Sequence, residues 1–63
     1  MDKKFILKMV KHSFKQYHRD LEVDPLQEKE FEQLYEQIIL IKEQTNADLH
    51  DIVNDVIYEY LTN

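Results

Sequence analysis

Hydrophobic residues recur along this chain at the three- and four-residue steps of an amphipathic helix, and they do so in three separate segments. These segments run over about 2–18, 25–45 and 48–62, and each has one apolar side and one polar side. No internal repeat or low-complexity stretch interrupts them. The pattern predicts an all-α fold, a small three-helix bundle that forms a single domain over 1–63.

Two short breaks separate the predicted helices. Asp24-Pro25 marks the first break, because aspartate caps the free amides of a first turn and proline at the first helical position loses no hydrogen bond. Gln27, three residues after Asp24, completes a capping box in this interpretation. At the second break, Asn46 is suited to the left-handed conformation that glycine usually takes after a helix.

The apolar arcs are wide, about half of each helical wheel, compared with roughly 100° for a one-sided surface helix. Three short helices cannot cover arcs of that width, and so small a chain buries only about 60% of its unfolded surface. We therefore expect a homodimer to complete the core. Leu40 and Tyr58 point away from the apolar stripes and are also contact candidates. The predicted interface residues are Leu34, Ile38, Leu40, Ile52, Val56, Tyr58 and Tyr60.

The net charge of −5 is unevenly distributed along the chain. Up to Arg19, six basic residues stand against one acid, whereas twelve acids and two lysines follow. A candidate anion-contact face lies on the polar side of the first helix: Lys4, Lys8, Lys11 and Lys15. Two interpretations stay open. The lysines form a solvated face that pairs with the acidic remainder of the fold, or they contact nucleic-acid phosphates or an anionic membrane surface.

The side-chain chemistry argues against an enzyme. The chain has no glycine and no cysteine, which excludes phosphate-cradling loops, thiolate metal sites and cysteine nucleophiles. Its single serine, Ser13, adjoins His12, and neighbours in a helix point about 100° apart, so neither activates the other. The three histidines lack the i, i+4 spacing of a helical zinc site. We expect no catalytic residue, no metal ligand and no cofactor.

Nothing in the sequence predicts export or membrane insertion. The apolar run 5–7 is too short for the core of a signal peptide. The longest aliphatic run, 38–41, is far below the roughly 20 residues of a membrane-spanning helix. We expect a cytoplasmic location, which the absence of cysteine also fits.

Several stretches of the sequence resemble the YqzH-like family of small uncharacterised Bacillus proteins. They are KKFILKM at 3–9, DPL at 24–26, and ADL at 47–49 with DVIYEYL at 55–61. The resemblance covers nearly the whole chain. It implies no known activity, and no functional residue can be carried over from it.

The segment 34–61 also resembles the helical pair of ribbon-helix-helix repressors. The preceding strand of such a repressor would direct Asp20, Glu22 and Asp24 at DNA, where the carboxylates would repel phosphate. We therefore favour a non-enzymatic protein-interaction module that binds a partner or itself through helical surfaces. The alternatives are a nucleic-acid-associated protein and an acidic DNA mimic that inhibits a DNA-binding protein. The sequence does not identify the partner or the pathway.

Overall fold

Three α-helices pack around one hydrophobic core in the computed structural model, which describes residues 2–62. They are α1 (Lys3–Gln16), α2 (Glu28–Thr45) and α3 (Leu49–Thr62). The predicted all-α, three-helix architecture is confirmed. All three helices contribute to the core, which consists of Ile6, Val10, Phe14, Phe31, Leu34, Ile38, Ile52, Val53, Val56 and Ile57.

Local hydrogen bonds fix both ends of α1. The carboxylate of Asp2 caps a free amide of the first turn at 3.0 Å. At the other end, His18 adopts a φ of 67°, a conformation that favours glycine. The Arg19 amide donates to the Phe14 carbonyl at 2.9 Å, which is the long hydrogen bond of a Schellman motif. In a chain without glycine, histidine takes the left-handed position, and α1 ends two residues before the predicted boundary.

α2 begins three residues later than predicted. Gln27 is its N-cap and shares a capping box with Glu30, whose Oε1 accepts the Gln27 amide at 3.2 Å. The predicted cap at Asp24 is therefore wrong. The Asp24 carboxylate instead lies 3.2 Å from Nε of Arg19, and this ion pair keeps Asp24 in the connector between α1 and α2.

The turn between α2 and α3 has the predicted left-handed residue. Asn46 has a φ of 53°, and its amide donates to the Lys42 carbonyl at 3.0 Å. The Lys42 ammonium in turn donates to the Ala47 carbonyl at 2.7 Å. This turn reverses the direction of the chain, so that α3 runs antiparallel to α2. As a result, Tyr60 near the end of α3 contacts Glu30 near the start of α2.

The structure corrects the predicted dimer interface at four positions. Four of its side chains are almost fully buried inside the single chain: Leu34, Ile38, Ile52 and Val56. They face the other two helices, because the three apolar arcs cover one another more completely than their width suggested. These residues offer no surface to a second folded copy. The other three remain exposed: Leu40, Tyr58 and Tyr60.

Candidate interaction face

α1 and α3 pack side by side in the same direction. The Ser13 hydroxyl of α1 donates to Oδ1 of Asn54 in α3 at 3.0 Å. One turn further along both helices, the rings of Tyr17 and Tyr58 lie with their centroids 6.0 Å apart. Both contacts join residues 41 apart in sequence, since 54 − 13 and 58 − 17 give the same offset. A constant offset over consecutive turns requires parallel helices, so α1 and α3 lie side by side with a seam between them.

A groove of about 330 Å³ follows this seam between α1 and α3. Phe5 and Met9 of α1 and Val53 of α3 give it an apolar lining. Beyond the groove, exposed apolar surface continues at Tyr58, whose ring lies against Tyr17. Polar side chains lie between these two apolar ends. We name this surface the α1–α3 face and define it by Phe5, His12, Gln16, His50, Asn54 and Tyr58.

Opposite charges flank the α1–α3 face. Residues at three- and four-residue steps share one flank of a helix. The lysine row therefore lies along the flank of α1 turned away from the seam; it consists of Lys4, Lys8, Lys11 and Lys15. The aspartate row, Asp51 and Asp55, lies along the corresponding flank of α3. All six side chains are exposed, and that of Lys8 also lines the groove.

The lysine row makes no ion pair with residues 2–62. The ion pairs of that part of the chain join Arg19 to Asp24 and to Glu30, and a further contact joins Asp48 to His50. The interpretation in which the lysines pair with the acidic remainder of the fold therefore has no contact at salt-bridge distance among the described residues. Their ammonium groups are available to an external anion or to acidic side chains of a partner.

The sequence did not predict the strongest polar contact of the fold. Arg19, in the connector, binds Glu30 of α2 through two hydrogen bonds, at 2.7 Å (Nη1 to Oε2) and 3.1 Å (Nη2 to Oε1). The Arg19 guanidinium also stacks over the Phe14 ring at 4.5 Å, and the Tyr60 hydroxyl donates to the Glu30 carboxylate. We call this the Arg19–Glu30–Tyr60 network; it ties the connector to α2 and α3.

Burial and hydrogen bonding set the charges of this network. Only 10% of the Arg19 side chain and 13% of the Glu30 side chain are exposed. The hydrogen bond from Arg19 lowers the pKa of Glu30 from 4.5 to about 2, against the opposing effect of burial. The hydrogen bond to Glu30 raises the pKa of the Tyr60 hydroxyl. The exposed Tyr60 is thus held by a contact within the fold, which leaves Tyr58 as the freer tyrosine of α3.

The side chains that could take part in catalysis, Ser13 and His12, form ordinary structural contacts. Ser13 is buried and donates its hydroxyl to Asn54, while Nε2 of His12 lies 3.4 Å from Nε2 of Gln16. Within the described residues, no group of three or more histidine, aspartate or glutamate side chains is placed to hold a metal ion. No helix of residues 2–62 has the length and apolar character to cross a bilayer.

Comparison with known proteins finds similarity along the whole chain. The family model of the YqzH-like protein matches residues 1–63. A protein of Bacillus subtilis (strain 168) with the description "Uncharacterized protein YqzH" is 36% identical over 61 residues, which cover 95% of this chain and 90% of the relative. No solved structure matches the chain.

Proposed function

The chain belongs to the YqzH-like family, and from that premise we propose that it is a non-enzymatic interaction protein that binds another polypeptide through the α1–α3 face. The descriptions of the family and the relative name no activity, so the proposal rests on the surface. One observation carries it: 52% of Phe5 and 55% of Tyr58 are exposed beside the seam between α1 and α3. Aromatic side chains of this kind are enriched at protein interfaces.

These exposed side chains are not needed to complete the core. Ten apolar residues already fill it, and burying the exposed half of one more large apolar side chain against a partner is worth about 1 kcal/mol. Tyr58 is held against Tyr17, and a tyrosine has only two rotatable side-chain bonds, so it loses little entropy on binding. The face therefore presents preorganised contact area to a partner.

The contacts of Ser13 and His12 support the non-enzymatic part of the proposal. A serine nucleophile needs a general base within hydrogen-bonding reach, whereas the Ser13 hydroxyl donates to an amide oxygen, that of Asn54. The carboxylates of Asp24 and Glu30 both bind Arg19, which is always charged, so they do not form the unequal pair that acid–base catalysis uses.

A second candidate function, the binding of a nucleic acid, is favoured by the unpaired lysine row. Phosphate contacts come mainly from exposed lysine and arginine side chains. A long polyanion that lies across the face would also meet the aspartate row, and the whole chain carries a net charge of −5. Both features repel phosphate, so we rank this function below the binding of a polypeptide.

Site-specific photo-crosslinking in cells of the native host tests the proposal. A photoreactive phenylalanine analogue in place of Tyr58 should give discrete covalent adducts with a polypeptide, because that side chain would lie inside the interface. The same analogue in place of Gln37, an exposed residue of α2, is the matched control and should give none. Protein adducts that are absent from position 58, or identical at both positions, would rule out the α1–α3 face as the binding surface.

A further inference from the structure

We propose that the partner of the α1–α3 face is a second copy of this chain, related by a twofold axis that runs parallel to α1 and α3. The inference rests on the proposed function of that face and names its occupant. Its basis is the charge on the two flanks: basic beside α1, acidic beside α3, with uncharged polar and apolar side chains between them. A surface of this kind is complementary to itself.

The charges select one of two symmetric arrangements. Two copies that meet face to face through a twofold axis form an isologous contact, in which each flank touches a flank of the other copy. If the axis crosses the helices, α1 lies on α1, and lysine row meets lysine row. If the axis runs along the helices, α1 lies on α3 of the second copy, and each lysine row meets an aspartate row. Like charges in contact oppose association, so the second arrangement is favoured.

The parallel packing of α1 and α3 also sets the register. A twofold axis along the helices leaves the height of each residue unchanged, so a residue of α1 faces the α3 residue about 41 positions later in the second copy. Lys11 and Asp51 differ by 40 positions, as do Lys15 and Asp55. One position corresponds to about 1.5 Å along a helix, which a lysine side chain easily spans. Both pairs therefore meet, and each occurs twice in the dimer.

The size of the face sets the expected affinity. Helices of 14 residues are about 20 Å long, so two of them side by side offer a small contact area. Interfaces at the lower end of the size range belong to weak complexes, so we expect the dimer to form at micromolar concentration.

Charge reversal on one row at a time tests the arrangement. One variant carries Lys11→Glu and Lys15→Glu, and the other carries Asp51→Lys and Asp55→Lys. Each variant alone would place like charges opposite each other at all four pairs of the dimer, which we expect to weaken dimerisation by about tenfold or more. A mixture of the two variants restores opposite charges at every pair, so a heterodimer should form with nearly wild-type affinity.

Sedimentation equilibrium of the purified proteins at micromolar concentration gives the readout. We expect twice the chain mass of 7.7 kDa for the wild type and for the mixture, and a mass near 7.7 kDa for each variant alone. Circular dichroism checks that the variants are helical, and Leu40→Ala on the outer side of α2 should leave the mass unchanged. A mixture that stays monomeric, variants that dimerise like the wild type, or a monomeric wild type would overturn the inference. If the wild type is monomeric while position 58 crosslinks to a different polypeptide, the homodimer is ruled out. The proposed function, binding of a polypeptide through the α1–α3 face, is then still supported.

Discussion

Glu30→Gln should lower the free energy of unfolding by about 2 kcal/mol. Breaking an exposed ion pair costs about 0–1 kcal/mol, and breaking a buried pair costs about 3–5 kcal/mol. The pair of Arg19 and Glu30 lies between these limits, because its two hydrogen bonds are well aligned and its side chains are largely covered. Glutamine keeps the size of the side chain but removes the charge that holds the guanidinium and the Tyr60 hydroxyl.

The same substitution should remove an acid-sensitive part of the stability. The pKa of Glu30 is about 2 in the fold, compared with an ordinary value of 4.5. A lowered pKa means that this contribution is complete above about pH 4.5 and is lost as the pH falls towards 2. Urea unfolding at neutral pH and near pH 3 should therefore show a gap between wild type and variant that narrows in acid. Glu32→Gln, at an exposed neighbour, is the control and should change stability by less than about 0.5 kcal/mol. A Glu30→Gln gap that is negligible or independent of pH would contradict this role.

Phe14→Ala should be the most damaging single truncation, with a loss of about 3–5 kcal/mol. The Phe14 ring is fully buried, packs edge-on against Tyr60 at 6.0 Å and carries the Arg19 guanidinium on its face. A domain of this size has a total stability of only about 3–5 kcal/mol, so the variant should be unfolded at room temperature. Phe14→Leu, which keeps most of the volume, should stay folded with a lowered melting temperature.

Phe5→Ala is the matched comparison for this substitution, because Phe5 lies on the same helix but is exposed on the α1–α3 face. Thermal unfolding of the monomer, followed by circular dichroism at low concentration, should show a change of less than about 1 kcal/mol. Its effect should fall instead on dimerisation. If Phe5→Ala unfolds the chain, or Phe14→Ala melts like the wild type, the assignment of core and face is wrong.

The helices could be predicted from the sequence because periodicity is a local property of the chain. Apolar residues at three- and four-residue steps predicted three helices, and the conformational tolerance of asparagine predicted the left-handed Asn46. The outward positions of Leu40 and Tyr58 are also confirmed. The predicted start of α2 was wrong. The sequence pattern placed Asp24 at the N-cap, whereas in the fold its carboxylate pairs with Arg19 and Gln27 caps the helix.

The division between core and interface could not be predicted in the same way. Leu34 and Val56 have the same spacing whether their stripe faces another helix of the chain or a second copy. Only the relative placement of the helices distinguishes the two, and the register between α1 and α3 depends on contacts 41 residues apart. The lysine row was visible in the sequence, whereas its position beside an apolar face and opposite an aspartate row was not.

One signal in the sequence could have revealed the Arg19–Glu30–Tyr60 network. Glu30 lies four and eight residues before Leu34 and Ile38, so it occupies the apolar stripe of α2. An acid on such a stripe needs a partner, because burying a lone carboxylate is costly. The partner lies 11 residues away, in the connector, where an arginine is otherwise explained by its favourable position after the end of a helix.

Concentration-dependent amide NMR spectra of the wild-type chain test most directly whether the α1–α3 face binds a second copy. Dilution from about 1 mM to about 1 μM, on both sides of a dissociation constant of about 10 μM, should shift the resonances of interface residues as the dimer dissociates. We predict shifts at Phe5, His12, Asn54 and Tyr58, and unchanged resonances at Gln37 on the outer side of α2. Spectra without concentration dependence, or with shifts centred on α2, would contradict the binding of a second copy at this face.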